Sequence, residues 1–384
     1  MTTATAFTAP VVVTAGSTDP RAPLAVLLHG RGADEAAIIG LADHLPGGVA
    51  YAAVRAPIGE GGGYAWFANQ GIGRPVEASL RATMDWFRGW LDGVAPAGRP
   101  VVLIGFSGGA AFAGGLLLDD PSRYAGAAIL SGTLPFDAGL PVTPGRLVGV
   151  PVFVAQGEQD VVIPRELLDR TWNYLHDESG APTTGRRDPV GHAITAGAVG
   201  ELAAWLQDRL SFLAHHGPAA PGPTSWSRLP GGALRERRGP RPAISHSIPQ
   251  QQISDNAPVE LQERLFASAT ALAGVTSGPS AISVPGARGF VLDPPLRGPA
   301  DAYLVPAARE FAHLHPGYDG SLHLALPPAL AADAVRQGWA VPHPWAGVRL
   351  SPGFVMVYGP RDDDELAVVT AIVETSHAWA TGAD

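Results

Sequence analysis

The pentapeptide Gly105-Phe106-Ser107-Gly108-Gly109 sets one hydroxyl between an apolar run, Val101 to Phe106, and a string of small residues. Glycines on both sides let a strand turn sharply into a helix, which leaves the serine at the apex, able to attack a carbonyl. A serine hydroxyl is a weak nucleophile until a base takes its proton, and the base needs a carboxylate to fix its tautomer. Asp160 closes the run "PVFVAQGEQD" in a turn before Val161, and His192 lies in "VGHAI" just ahead of a helical pattern. Both have the required types and follow the serine. Glu158 is an alternative acid, with Asp160 at the favoured turn position. A tetrahedral intermediate also needs preorganised donors for its oxyanion. The loop His29-Gly30-Arg31-Gly32, after the apolar run Leu24 to Leu28, can turn amides toward the serine, and the backbone N–H groups of Arg31 and Gly108 are the expected donors. His29 either braces that loop or is an alternative base. His44 and His176 are expected at the surface.

A second dense stretch, "REFAHLHPGYDGSLHLALP", spans Arg309 to Pro327. Residues two apart on a strand share a face, so His313 and His315 point the same way. A loop with Gly317, Asp319 and Gly320 leads to a strand carrying His323. Three histidines and an aspartate could hold iron in a 2-His-1-carboxylate site, or zinc. The competing reading makes His313 and His315 hydrogen-bonded polar residues that line a pocket or strand face, with no metal. It is preferred here, because a direct hairpin of that loop length sends His323 to the opposite face.

These residues need elements to hold them. From Leu24 the chain alternates short β-type runs ("LAVLLHG", "VAYAAVRAP", "RPVVLIGFS", "YAGAAILSG", "VPVFVAQGEQD") with helical patterns such as Ser79 to Leu91 and Gly109 to Leu118. That alternation predicts a mostly parallel, doubly wound α/β sheet covered on both faces, closed by a helix over Ala196 to Leu213. The texture then changes. Residues 214–258 are rich in Pro, Gly, Ser, Gln and Arg without periodicity and read as a flexible linker. Residues 259–384 regain helices (Glu260 to Ala273, Ala329 to Gln337, Asp363 to Ala378) and short strands ("GFVLD", "FAHLH", "SLHLAL", "FVMVYG"), and predict a second, smaller α+β domain. The organisation expected is 1–213, a linker over 214–258, and 259–384.

Composition removes several functions. The 384 residues include no cysteine, so disulfides, thiolate zinc sites and cysteine nucleophiles are excluded. They also include no lysine, so all 26 cationic side chains are arginine, and Schiff-base chemistry, a pyridoxal anchor and a Walker A loop are excluded. A net charge of -9 with scattered arginines argues against a nucleic-acid partner. Met1 to Gly16 lacks a basic n-region, and no run is long enough for a membrane span, so a soluble, cytoplasmic protein is the expectation. Oligomeric state is not legible.

On "LLHGRG", "APIGEGGGYAWF", "GFSGGA", "QGEQDVVIP" and "GHAI", the stretch from about Leu24 to Leu213 resembles the phospholipase/carboxylesterase family of α/β-hydrolases. The order Ser107, Asp160, His192 is the order of that fold. The resemblance implies hydrolysis of a small-molecule ester, thioester or lactone without a cofactor, in an open groove with no large cap. The loop Gly61 to Asn69 would wall it, with Tyr64, Trp66 and Phe67 either touching an acyl or aryl group or simply packing. From about Ala281 to Gly382, "GWAVPHPWAG", "VYGPRDDDEL" and the histidine stretch resemble the luciferase-domain family. That resemblance implies an oxygen-dependent step without an organic cofactor; two rival readings are that both parts act in sequence on one compound, or that the C-terminal part only binds a substrate, carrier or partner.

Overall fold

A computed structural model describes residues 7–96, 98–216, 224–245, 248–293 and 298–383. The chain divides into two compact units, Met1–Leu175 with Thr184–Ser211, and His176–Thr183 with Phe212–Asp384.

The first unit is built on a seven-stranded sheet: β1 (Val12–Gly16), β2 (Leu24–Leu28), β3 (Ala50–Val54), β4 (Val101–Phe106), β5 (Gly126–Leu130), β6 (Val152–Gly157) and β7 (Thr183–Asp188). Their spatial order is β1-β3-β2-β4-β5-β6-β7. From β3 to β6 the pairings are parallel, whereas β1 runs antiparallel to β3 at one edge. The sequence gives little sign of β1, because an edge strand with exposed Val13 and Thr14 lacks the buried apolar run of its neighbours. Strands β2, β5 and β6 are buried at every residue, as a sheet covered on both faces requires. Helix α1 (Glu35–Ile39) follows β2. In α2 (Glu77–Val94), Leu80, Met84, Phe87 and Leu91 form one buried stripe at helical spacing. Helix α3 (Gly108–Asp119) is buried from Gly109 to Leu118, and α4 (Arg165–Asn173) and α5 (Ala196–His216) complete the layers. The strand order reverses between β2 and β4, so the crevice at their carboxyl ends is where such a sheet offers a binding site.

The second unit carries six antiparallel strands, β8 (Val275–Pro279), β9 (Arg288–Leu292), β10 (Glu310–Leu314), β11 (Leu322–Ala325), β12 (Ala340–Pro342) and β13 (Phe354–Val357), in the order β8-β9-β10-β11-β13-β12. Helices α6 (Val259–Thr270), α7 (Pro328–Arg336) and α8 (Asp363–Thr381) join Phe290, Leu324 and Val355 of the sheet in one core.

The linker expectation for 214–258 is corrected for the residues described. Trp226 is fully buried in the core of the second unit and donates its indole N–H to Asp333, and Leu234 packs into the same core. Ile244 joins a smaller cluster with Val341, Met356 and Tyr358. Single large apolar residues widely spaced in a polar, Pro-rich chain leave no periodic signal, yet each can plug a core built by other elements. Residues 217–223, 246 and 247, also inside the expected linker, lie outside the described residues. His176, expected at the surface, is buried, on the π-helical turn Tyr174–Glu178. Among the described residues, no helix is long and apolar enough to cross a membrane.

Candidate functional site

At the carboxyl end of β4 the chain passes through Ser107 at φ 53° and ψ −115°, a conformation that costs energy for any residue with a side chain. The neighbouring glycines explain how the turn closes. A Cβ on Gly105 would lie 2.2 Å from the Gly109 carbonyl oxygen, and one on Gly109 would lie 2.0 Å from the Leu28 carbonyl oxygen. Only glycine lets α3 start this close to β2 and β4. The Ser107 amide donates to the Leu130 carbonyl (2.9 Å), which ties the apex to β5.

The base arrives on the loop between β7 and α5. His192 Nε2 lies 2.9 Å from Ser107 Oγ, and its Nδ1 lies 2.8 Å from Asp160 Oδ2. An ionised carboxylate only accepts, so Nδ1 carries the proton and Nε2 is free to receive the one from serine. Asp160 has a fully buried side chain, and its Oδ1 accepts the amides of Val162 (2.8 Å) and Ile163 (3.1 Å), so its turn is self-capped. The Asp160 and His192 loops are stitched by Glu158 N–H to Asp188 O (2.8 Å) and Gln159 N–H to Val190 O (3.0 Å). Glu158 itself is exposed, and its carboxylate takes no part. Sequence reasoning did not find Ser131, whose Oγ donates to the Ala193 carbonyl (3.0 Å) from a backbone at φ 44°.

The expected oxyanion donors are also adjacent. The Arg31 backbone nitrogen lies 3.2 Å from where a Cβ on Gly108 would be. Among the described residues, neither the Arg31 nor the Gly108 amide has an acceptor. His29 braces this loop: Nδ1 faces the Gly30 carbonyl (2.8 Å) and Nε2 accepts the Ala56 amide (3.0 Å). Burial outweighs these contacts and lowers its pKa, so it sits there neutral with both ring nitrogens engaged. His44 is exposed, as expected.

Two residues of the expected substrate wall are buried. Trp66 is buried, stacks on Phe112 at 4.4 Å and donates to the His29 carbonyl (2.8 Å). Phe67 is buried and its carbonyl accepts from Arg31 Nη1 (3.2 Å). Tyr64, half-buried, exchanges backbone hydrogen bonds with Gly32 (2.9 Å) and Ala33 (3.1 Å). Packing is therefore the reading supported for Trp66 and Phe67, and the segment anchors the loop His29 to Ala33.

In the second unit, His313 on β10 pairs directly with His323 on β11, so both face the same way. The expectation that His323 points to the opposite face is corrected. The turn is five residues long, with the His315 amide donating to the Ser321 carbonyl (2.9 Å), and this register keeps all three histidines together. Their ring nitrogens lie within 4.8 Å of one another, and all three are buried. Two acids brace them. Glu310 Oε1 is 2.8 Å from His313 Nδ1, and Asp319 Oδ2 is 2.7 Å from His315 Nδ1. Glu310 is three residues from His313 and would not share its face on a regular strand. A bulge between Phe290 and Val291 pairs Val291 with Glu310 and rotates the acid into line. That irregularity leaves no sequence signal, so Glu310 was not anticipated. Neither were His343, stacked on Phe354 at 4.4 Å, nor Gln250, whose Oε1 lies 3.1 Å from His323 Nε2. Burial lowers the pKa of His313 and His323 and takes His343 down to about 3, so these imidazoles are neutral. Burial alone would raise Glu310, but His313, the Ala281 amide and Ser280 outweigh it and hold the carboxyl below its ordinary value.

Residues 308–376 match the luciferase domain, and residues 9–209 match the phospholipase/carboxylesterase family. A luciferase of Armillaria gallica is 37% identical over 94 residues, which is 23% of this chain and 35% of that protein; the chain spans about a third of that relative's length. A solved carboxylesterase of Bacillus cereus is 26% identical, with a TM-score of 0.45, covering 52% of this chain and 93% of that one. A carboxylesterase from Mesorhizobium loti is 25% identical, with a TM-score of 0.44, covering 48% of this chain and 88% of that one. The match over residues 9–209 takes in more than half of the sequence, and the chain belongs to the phospholipase/carboxylesterase family, with a luciferase domain following its hydrolase portion.

Proposed function

We propose that the first unit is a serine hydrolase that cleaves a small-molecule carboxylic ester, thioester or lactone through an acyl-enzyme. The observation that carries this reading is His192 bridging Ser107 and Asp160 at 2.9 and 2.8 Å on a strained turn at the sheet's switch point. As Ser107 Oγ attacks the carbonyl carbon, His192 Nε2 takes its proton and Asp160 steadies the imidazolium. The amides of Arg31 and Gly108 receive the oxyanion. His192 then protonates the leaving group, the acyl group remains on Ser107, and water repeats the sequence to release the acid and restore the serine. None of these steps requires a metal or organic cofactor, and a cytoplasmic setting is part of this reading.

Ser107→Ala tests it. Turnover of an activated ester should fall about ten-thousand-fold or more while the fold persists. Labelling by a fluorophosphonate should occur in the wild type and vanish in the variant. Wild-type turnover or labelling in Ser107→Ala would refute the assignment.

A further inference from the structure

We propose that His313, His315 and His323 bind one divalent transition-metal ion in the second unit, a site independent of the serine chemistry. The hydrogen bonds fix where every proton in the cluster lies. Glu310 can only accept from His313 Nδ1 (2.8 Å), and Ser321 Oγ, which gives its own proton to Asp319 Oδ1 (2.6 Å), accepts from His315 Nδ1 (3.0 Å), so both rings carry their protons on Nδ1 and present bare Nε2 atoms. Gln250 settles the third ring. Its Nε2 donates to the Pro342 carbonyl (3.0 Å), which turns Oε1 toward His323, and Oε1 accepts the proton of His323 Nε2 (3.1 Å). His323 therefore presents a bare Nδ1. That atom lies 3.1 Å from His313 Nε2 and 3.0 Å from His315 Nε2. Three lone pairs meet with no proton between them, an arrangement that repels itself unless a cation is shared.

Distance and charge agree on the kind of cation. Two imidazole nitrogens held about 2.05 Å from a tetrahedral ion are about 3.3 Å apart, so the two pairs that share His323 Nδ1 need to open by only a few tenths of an ångström, and all three atoms already lie within 4.8 Å of one another. Neutral imidazoles suit zinc, iron, cobalt, nickel or copper far better than calcium or magnesium. Carboxylates on the far nitrogens of ligating histidines are the usual second layer of such a centre. Glu310 and Asp319 are both fully buried, and among the described residues neither has an arginine partner. A divalent ion balances both charges, whereas one trapped proton would balance only one. Three protein nitrogens also leave a coordination position for water or substrate. This site departs from the metal-free reading of the histidine stretch, which rested on the wrong face for His323.

The test uses the full chain, freed of metal by a chelator and titrated with Co²⁺, then with Zn²⁺ as competitor. The expected result is one Co²⁺ per chain with the visible absorption of a tetrahedral centre, displaced by Zn²⁺. Asp319→Asn and Glu310→Gln should weaken Co²⁺ binding by about 10- to 100-fold. His315→Ala should abolish the absorption. Should that variant fail to fold, proton NMR of the wild-type Co²⁺ form decides: three exchangeable, strongly shifted imidazole N–H signals are expected, one for each ring. Absence of Co²⁺ and Zn²⁺ binding by the wild type would overturn the site. So would an absorption that survives in folded His315→Ala, or fewer than three shifted N–H signals.

Discussion

Asp160 and Glu158 lie two residues apart in one turn, and their surroundings separate their roles. Asp160 is buried, capped by two amides and bonded to His192, while Glu158 is exposed. Asp160→Asn should keep the geometry but favour the wrong imidazole tautomer, lowering kcat on an activated ester by about ten-thousand-fold. Glu158→Gln should leave kcat and KM unchanged, and steady-state kinetics of the two variants checks both. That Ser107, Asp160 and His192 would come together was legible, because a hydroxyl, a carboxylate and an imidazole in that order, at turns beside the apolar runs, match the order of the fold. Glu310 and Gln250 were not, since each acquires its place from backbone geometry that residue type does not encode.

The turn from β4 into α3 depends on contact between elements as much as on its own residues. With a Cβ on Gly109 only 2.0 Å from the Leu28 carbonyl, Gly109→Ala must push α3 away from β2. The expected outcome is a stability loss of about 1–3 kcal/mol in urea unfolding, together with a collapse of ester turnover as Ser107 leaves His192. At the start of α8, Asp362 caps the helix and Glu365 binds Arg237 (3.0 Å) and Arg361 (2.5 Å), with both Glu365 and Arg237 buried. Removing one partner of a buried pair strands the other, so Glu365→Gln should cost about 3–5 kcal/mol. Burial raises the Glu365 carboxyl, but the arginine contacts outweigh it and hold the pKa below its ordinary value. A carboxyl depressed on folding stabilises above its unfolded pKa, and that contribution disappears as pH falls through the folded value. The gap between wild type and Glu365→Gln at pH 7 should therefore narrow below about pH 4, as read by denaturant unfolding at each pH. Central strands and amphipathic helices were legible from their apolar runs and periodicity. The edge strand β1 and the bulge beside Glu310 were not, because the first is half exposed and the second is a departure from the period itself.

For the molecule as a whole, the second unit takes in Phe212–Asp384, so it does not begin at 259. A chain beginning at Thr224 keeps Trp226, Leu234 and Ile244, which fill the second unit's cores, and a chain beginning at Val259 loses all three. The longer piece should be soluble with a cooperative thermal transition and the shorter one should aggregate; equal behaviour by light scattering and calorimetry would count against the assignment. Two units were readable from the change in texture after the hydrolase portion, but polar, Pro-rich composition was mistaken for independence from a core. The same segment carries Gln250, whose Oε1 meets His323, and among its described residues an isolated bridge, Ile244 with Gln252, and the backbone bonds Ser245 N–H to Gln251 O (2.9 Å) and Ile253 N–H to Ala243 O (2.8 Å) hold it to itself. It has few backbone bonds of its own to hold it closed, so it is the part of the second unit that should open first under mild denaturant. Opening would free the Gln250 amide and let His323 change tautomer while β10 and β11 stay paired. Amides of 243–245 and 248–253 exchanging with solvent well before those of the two strands would mark this segment as a latch, making the chemistry of the histidines the last property gained in folding and the first surrendered.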